Sequence, residues 1–143
     1  MLSSSSKYAI KAVLYLALHA SESNKIRAKN IGGPINVPQA YIAKLLQELS
    51  RHNLVSSTKG PHGGFYLSDE NMEQPVINII DVIDGKKKIE SCMLSLEDCN
   101  EGKPCPLHKL VGPMRSKFIK SMSEKTIHDL SMDLKDKKSF LPL

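Results

Sequence analysis

The sequence predicts a mainly α fold broken by one short two-stranded β-hairpin, with a long helix near the C-terminal end. Three observations carry this. Apolar residues recur at helical spacing through 8–20, 42–49 and 107–122. Between them the period changes: two β-prone runs, Leu54-Val55-Ser56-Ser57-Thr58 and Phe65-Tyr66-Leu67, flank the turn Lys59-Gly60-Pro61-His62-Gly63-Gly64. Finally, every cysteine falls in one stretch, Cys92, Cys99 and Cys105, with His108 just beyond.

The elements follow in order. Ser3 to Ser6 can cap a first helix. Within it Ala9, Val13, Leu16 and Ala20 make one apolar stripe and Ile10, Leu14 and Leu18 another, so more than one side should be covered. Ile26 to Gly32 reads as a short second helix, ended by Gly32-Gly33-Pro34. Val37-Pro38 opens a third, with proline in the first turn, where its missing N–H is tolerated. Ile42, Leu45, Leu46 and Leu49 form its core face, and His52-Asn53 stops it.

Beyond the hairpin, VINIIDVIDG predicts a short helix after an extended lead-in at Pro75, and Lys86-Lys87-Lys88 a solvated charge run. Leu107 to Met122 reads as a long helix with Leu107, Leu110, Val111, Met114, Phe118 and Met122 on one broad face. Nothing in the second half is large enough to cover that face, so a partner subunit is expected to do so. Thr126 caps a last helix with Ile127, Leu130 and Leu134, and the tail after Lys135 should fray. Three segments result: a head (1–85), a cysteine-rich ligand loop (86–108), and a dimerisation helix with its tail (109–143).

The chain has 143 residues, 41% hydrophobic and 24% charged, an ordinary globular balance with room for one compact domain, or a small domain plus an oligomerisation arm. All of the net charge of +5 belongs to the first half: residues 1–69 carry eight Lys or Arg against three acidic residues, and 70–143 carry twelve of each. Such a half suits a phosphate-bearing partner. An odd cysteine count argues against a secreted disulfide framework. Residues 8–20 resemble a signal-peptide core, but Lys11 interrupts them, and they fall short of the ~20 apolar residues a membrane span needs. A cytoplasmic protein with no membrane partner is expected. No nucleophile–base pair, phosphate cradle or open catalytic metal set points to an enzyme.

Three helices followed by a hairpin is the order of a winged helix-turn-helix, in which the third helix enters the major groove and the wing touches backbone or minor groove. Pro38, Gln39, Tyr41 and Lys44 lie near the start of the third helix; Ser57, Lys59, Gly60, His62 and Gly63 lie in the hairpin. These are the candidate DNA-binding residues, with Tyr41 equally readable as core. Glycine at the wing tip allows positive φ and close approach to DNA. The second candidate site is Cys92, Cys99, Cys105 and His108. Three thiolates and an imidazole suit a 2Fe–2S cluster or a closed Cys3His zinc site.

Three motifs, KYAIKAVLYLAL, AYIAKLLQELSRHNLVSSTKGPHGGFYL, and the cysteines followed by a long helix, resemble the IscR/NsrR family of bacterial winged-helix regulators over nearly the whole chain. The resemblance implies a homodimeric transcription regulator, a repressor, acting on a palindromic promoter site in double-stranded DNA. It also implies an iron–sulfur cluster on the three cysteines, with a fourth ligand that varies by branch. The IscR-like branch uses histidine, which matches His108; the NsrR-like branch uses an N-terminal acidic residue, where Tyr8 stands here.

Three departures stand out. Gly32-Gly33-Pro34 and Pro38 intrude in the helix-turn-helix, Lys59 replaces the usual wing arginine, and the first cysteine spacing is one residue longer. Lysine is a point charge where arginine can clamp a base bidentately, which weakens base reading by the wing. The alternatives are a cluster-free family member sensing a small metabolite or thiol oxidation, and, from another class, a small iron–sulfur redox carrier. The basic head argues against the carrier.

Overall fold

Ser3 starts the first helix, α1 (Ser4–His19), its hydroxyl accepting from the Ser6 amide at 3.0 Å. The computed structural model describes residues 2–94 and 97–142, so Ser95 and Leu96 of the cysteine loop lie outside the described residues. In α1 the residues Ala9, Ala12, Val13 and Leu16 are fully buried, while Ile10 and Leu18 of the second stripe stay half-buried.

The second helix, α2 (Ala28–Gly32), is shorter than expected. Ile26 is not part of it: its N–H donates to the Phe65 carbonyl at 2.9 Å and its carbonyl accepts from the Phe65 N–H at 2.7 Å. A β-branched residue beside an open hairpin edge gains two ladder bonds there, which the first turn of a short helix would not offer its N–H. α3 (Gln39–Arg51) packs on α2 and buries Ile42, Leu45, Leu46 and Leu49 as expected. Pro38 stands at its N-cap, one residue before the first turn. His52 is the C-cap, and Asn53 follows at φ 59°, turning the chain into buried Leu54 and Val55.

The hairpin pairs β1 (Ser56–Thr58) with β2 (Gly64–Tyr66), Ser57 opposite Phe65. Its tip needs glycine for two different reasons. Gly60 has φ 102°, and a Cβ on Gly63 would sit 2.4 Å from the Thr58 carbonyl oxygen.

A helical turn that periodicity did not reveal, α4 (Asp69–Met72), follows; Ser68 and Asn71 form its capping box. α5 (Val76–Asp84) packs on α1 and α3 and buries Val76, Ile77, Ile79 and Ile80. The lysine run lies in a short helix, α6 (Lys86–Glu90), with all three lysines exposed. α7 (His108–Glu124) contains Pro113 and buries none of its residues, although it touches α5. Leu110 and Met114 on its expected partner-facing side are 67% and 66% exposed.

α8 (Ile127–Lys135) is capped by Thr126, in a capping box with Asp129. It packs on α1, and fully buried Ile127 belongs to the same core cluster as Val13, Leu16, Ile42 and Leu46. Ile127, placed by sequence in the C-terminal arm, thus completes the core of the head. The strap before α8 is pinned by Val76 N–H to the Lys125 carbonyl at 2.9 Å and Ile127 N–H to the Gln74 carbonyl at 3.0 Å. The tail expected to fray turns back: the Asp136 and Lys138 amides bond the Met132 and Asp133 carbonyls, and Leu141 and Pro142 line a groove with Tyr8 and Ile10. Among the described residues no helix is long and apolar enough to cross a membrane.

Candidate nucleic-acid interface and cysteine loop

Opposite its core face, α3 presents Pro38, Gln39 and Lys44 to solvent, followed by Gln47 and Arg51 at helical spacing. Gln47 and Arg51, with Ser50, Ser57, Thr58 and Lys59, line an open groove of about 580 Å³ between α3 and the hairpin. Ser50 and Ser57 meet across it, their hydroxyls 3.1 Å apart. Helix and wing therefore share one polar surface. Arg51 is also paired with Glu48 on α3 at 2.9 Å.

Of the expected interface residues, Ser57, Lys59, Gly60 and His62 are exposed in the hairpin. Two are placed otherwise. Tyr41 faces α1: its hydroxyl bonds the Ser5 hydroxyl and its ring meets Tyr8 edge-on, 6.0 Å between centroids. It braces the helix and does not line the groove. Gly63 is buried, so it shapes the turn and offers no surface. Gln47, Arg51 and Thr58 were not singled out from sequence, though the polar gaps between Ile42, Leu45, Leu46 and Leu49 mark the first two. Arg27 was missed as well: its guanidinium donates to the Pro61 carbonyl at 2.6 Å and the Gly60 carbonyl at 3.2 Å. No periodic signal links residues so far apart.

Among the described residues the three cysteines form no disulfide, and each is half-buried. Cys99 Sγ lies 3.0 Å from Nδ1 of His108, the first residue of α7. The His108 N–H donates to the Cys105 carbonyl at 3.0 Å, and the Cys92 N–H to the Glu97 carbonyl at 3.1 Å. Cys99 and His108 also line an open pocket of about 490 Å³ with Lys109, Gly112 and Arg115. Cys99 and His108, both expected ligands, are thus brought together among the described residues. Among the described residues no three of Cys, His, Asp or Glu are grouped to hold a metal ion. By donor chemistry the set fits a 2Fe–2S cluster or zinc. By geometry, Cys99 and His108 are at hydrogen-bond distance.

The pattern of the Rrf2 family, described as an iron-dependent transcriptional regulator, matches residues 2–133. The chain belongs to the Rrf2 family. A protein of Aquifex aeolicus (strain VF5), named as an HTH-type transcriptional regulator, is 32% identical to this Rrf2 chain over 126 residues, 87% of this chain and 86% of that one. IscR of Vibrio cholerae is 28% identical over 132 residues, 92% of this chain and 75% of IscR.

Among solved structures CymR, the global cysteine regulator of B. subtilis, matches with a TM-score of 0.72 at 25% identity, covering 92% of this chain and 96% of CymR. IscR of T. potens matches with 0.71 at 21% identity, covering 97% and 91%, a likeness of fold. The expected resemblance and the winged-helix fold are borne out. This Rrf2 protein is a DNA-binding transcription regulator and not an enzyme.

Proposed function

We propose that this Rrf2 regulator acts as a homodimeric repressor on a palindromic promoter duplex, with its DNA affinity set by the ligand state of Cys92, Cys99, Cys105 and His108. The observation that supports this most is the contact between Cys99 in the loop and His108 at the start of α7, 3.0 Å apart. Whatever engages that pair acts on the loop and on the helix together. Cys92 follows α6, Cys99 and Cys105 lie within the loop, and His108 belongs to α7, so these side chains would hold a 2Fe–2S cluster. The cluster, when bound, supplies a redox-sensitive cross-link; zinc would supply a fixed one. The exposed Leu110 and Met114 offer the surface for a second copy. Pinning or releasing the loop would then bias the spacing of two recognition helices. Promoter binding places the protein in the cytoplasm.

A second reading has the same contact behind it. A thiol hydrogen-bonded to imidazole suits a cluster-free regulator that responds to oxidation or to a small metabolite.

Anaerobic purification followed by an absorption spectrum and iron, sulfide and zinc analysis separates these readings. Visible charge-transfer bands with iron and sulfide support the cluster. Stoichiometric zinc in a colourless protein moves the loop to a structural role. A metal-free protein whose DNA affinity changes on oxidation favours the second reading.

A further inference from the structure

We infer that Arg27 is a positioning residue that sets the wing tip relative to α3, so that the wing's share of DNA affinity depends on it. This rests on the reading of the hairpin as a DNA-contacting wing. Arg27 stands at the N-cap of α2 in extended backbone, and its side chain makes no cap bond there. It reaches across to the turn instead, where one Nη2 donates to both Pro61 and Gly60 carbonyls, at 2.6 and 3.2 Å.

Among the described residues the tip has few other hydrogen bonds. Pro61 has no N–H, Gly60 sits at φ 102°, and within the turn the Gly63 N–H donates to the Gly60 carbonyl at 3.0 Å. The base, by contrast, is fixed through backbone. Ile26 bridges Phe65, and the chain passes so close that a Cβ on Gly64 would lie 2.9 Å from the Ile26 carbonyl oxygen. The Lys25 ammonium sits 5.6 Å from the Tyr66 ring centre on the same edge. Residues 25–27 therefore act as a splint along the hairpin, with the backbone gripping its base and one guanidinium gripping its tip. Lys59 and His62 are exposed on that tip, and both are expected to meet DNA.

Because Arg27 is exposed, its rival role is a phosphate contact of its own. A double-mutant cycle separates the two. The probe is a duplex recovered by the wild-type protein from a randomised pool. Arg27→Ala should weaken binding by about tenfold, the lower end for one lost charge-assisted hydrogen bond. In a Lys59→Ala, His62→Ala background the same change should cost almost nothing, because the wing no longer contributes. In the DNA-free protein, Arg27→Ala should speed hydrogen exchange at the Gly63 amide by a similar factor and leave α3 amides unchanged.

Additive losses in the cycle would make Arg27 a direct contact and overturn the inference alone, as would unchanged exchange at Gly63. Failure of the wild-type protein to select any duplex would overturn the DNA-contacting wing first, and this inference with it.

Discussion

The Asn71 side-chain amide donates to the Asn53 carbonyl at 2.7 Å, tying the capping box of α4 to the turn that ends α3. Its Oδ1 accepts from the Ser56 hydroxyl at 2.7 Å and the Ser68 N–H at 2.9 Å. One nearly buried amide thus fixes where β1 leaves α3. Asn71→Ala would strand the Asn53 carbonyl and the Ser56 hydroxyl. Urea denaturation should show a loss of about 3 kcal/mol. A loss under 1 kcal/mol, within about the range of a surface change, would show that water replaces the amide freely.

Acid should weaken the head through Asp84. Burial pushes its carboxyl up, but hydrogen bonds from Ser3 and Ser6 and the nearby Lys88 outweigh it and hold the group below its ordinary 3.8. A lowered folded value means the stabilisation is complete above 3.8 and lost as pH falls through the lower folded value. Asp129, held low by the Thr126 cap, has the same sign. Asp81, raised by burial, has the opposite sign. Denaturation midpoints across this range should fall less steeply for Asp84→Asn than for wild type; parallel curves would clear Asp84 of any part in acid sensitivity.

At the DNA surface, Lys59→Ala should weaken binding and reduce the slope of log affinity against log salt by about one. A uniform loss across sequences identifies a phosphate contact; a change in preferred bases identifies base reading. Tyr41→Phe should leave affinity unchanged and lower stability by about 1 kcal/mol, since its hydroxyl serves Ser5. Impaired binding with unchanged stability would return Tyr41 to the interface.

In the loop, Cys92→Ala, Cys99→Ala and Cys105→Ala should each abolish iron retention, because each removes a thiolate. His108→Ala should be graded, since water can replace a neutral imidazole. Circular dichroism should stay helical throughout, and iron per chain is the readout. Full iron in any cysteine variant removes that cysteine from the ligand set.

The face of α7 predicts an assembly. Leu110→Glu with Met114→Glu should convert a dimer to monomers in sedimentation, because two charges would have to be buried. A dimer that survives both changes is built elsewhere.

The legible parts of this protein were those with a local signal. Helix α3 was readable because Ile42, Leu45, Leu46 and Leu49 repeat at helical spacing, and the hairpin because glycine and proline punctuate it. Ile26 was assigned to a helix because its strand partner lies 39 positions away, and adjacent residues hold no trace of that pairing. The short α4 rests on a capping box worth little without the buried corner around Asn71. At the site, residue type revealed the cysteines, whereas Arg27 and Tyr41 have roles set by what they reach in space. The polar face of α3 was open to the same reasoning as its apolar face, and Gln47 and Arg51 could have been found there.

Ile127 has a temporal consequence. It packs into the core shared by α1 and α3, which begin at Ser4 and Gln39, so the chain cannot finish this earlier-made part until α8 arrives. On a ribosome synthesis runs from the N-terminus at about 5–20 residues per second, so α1 to α3 would wait several seconds without their last core side chain. A nascent chain therefore carries an unfinished head until α8 has been made, and the packing that positions α3 is complete only then.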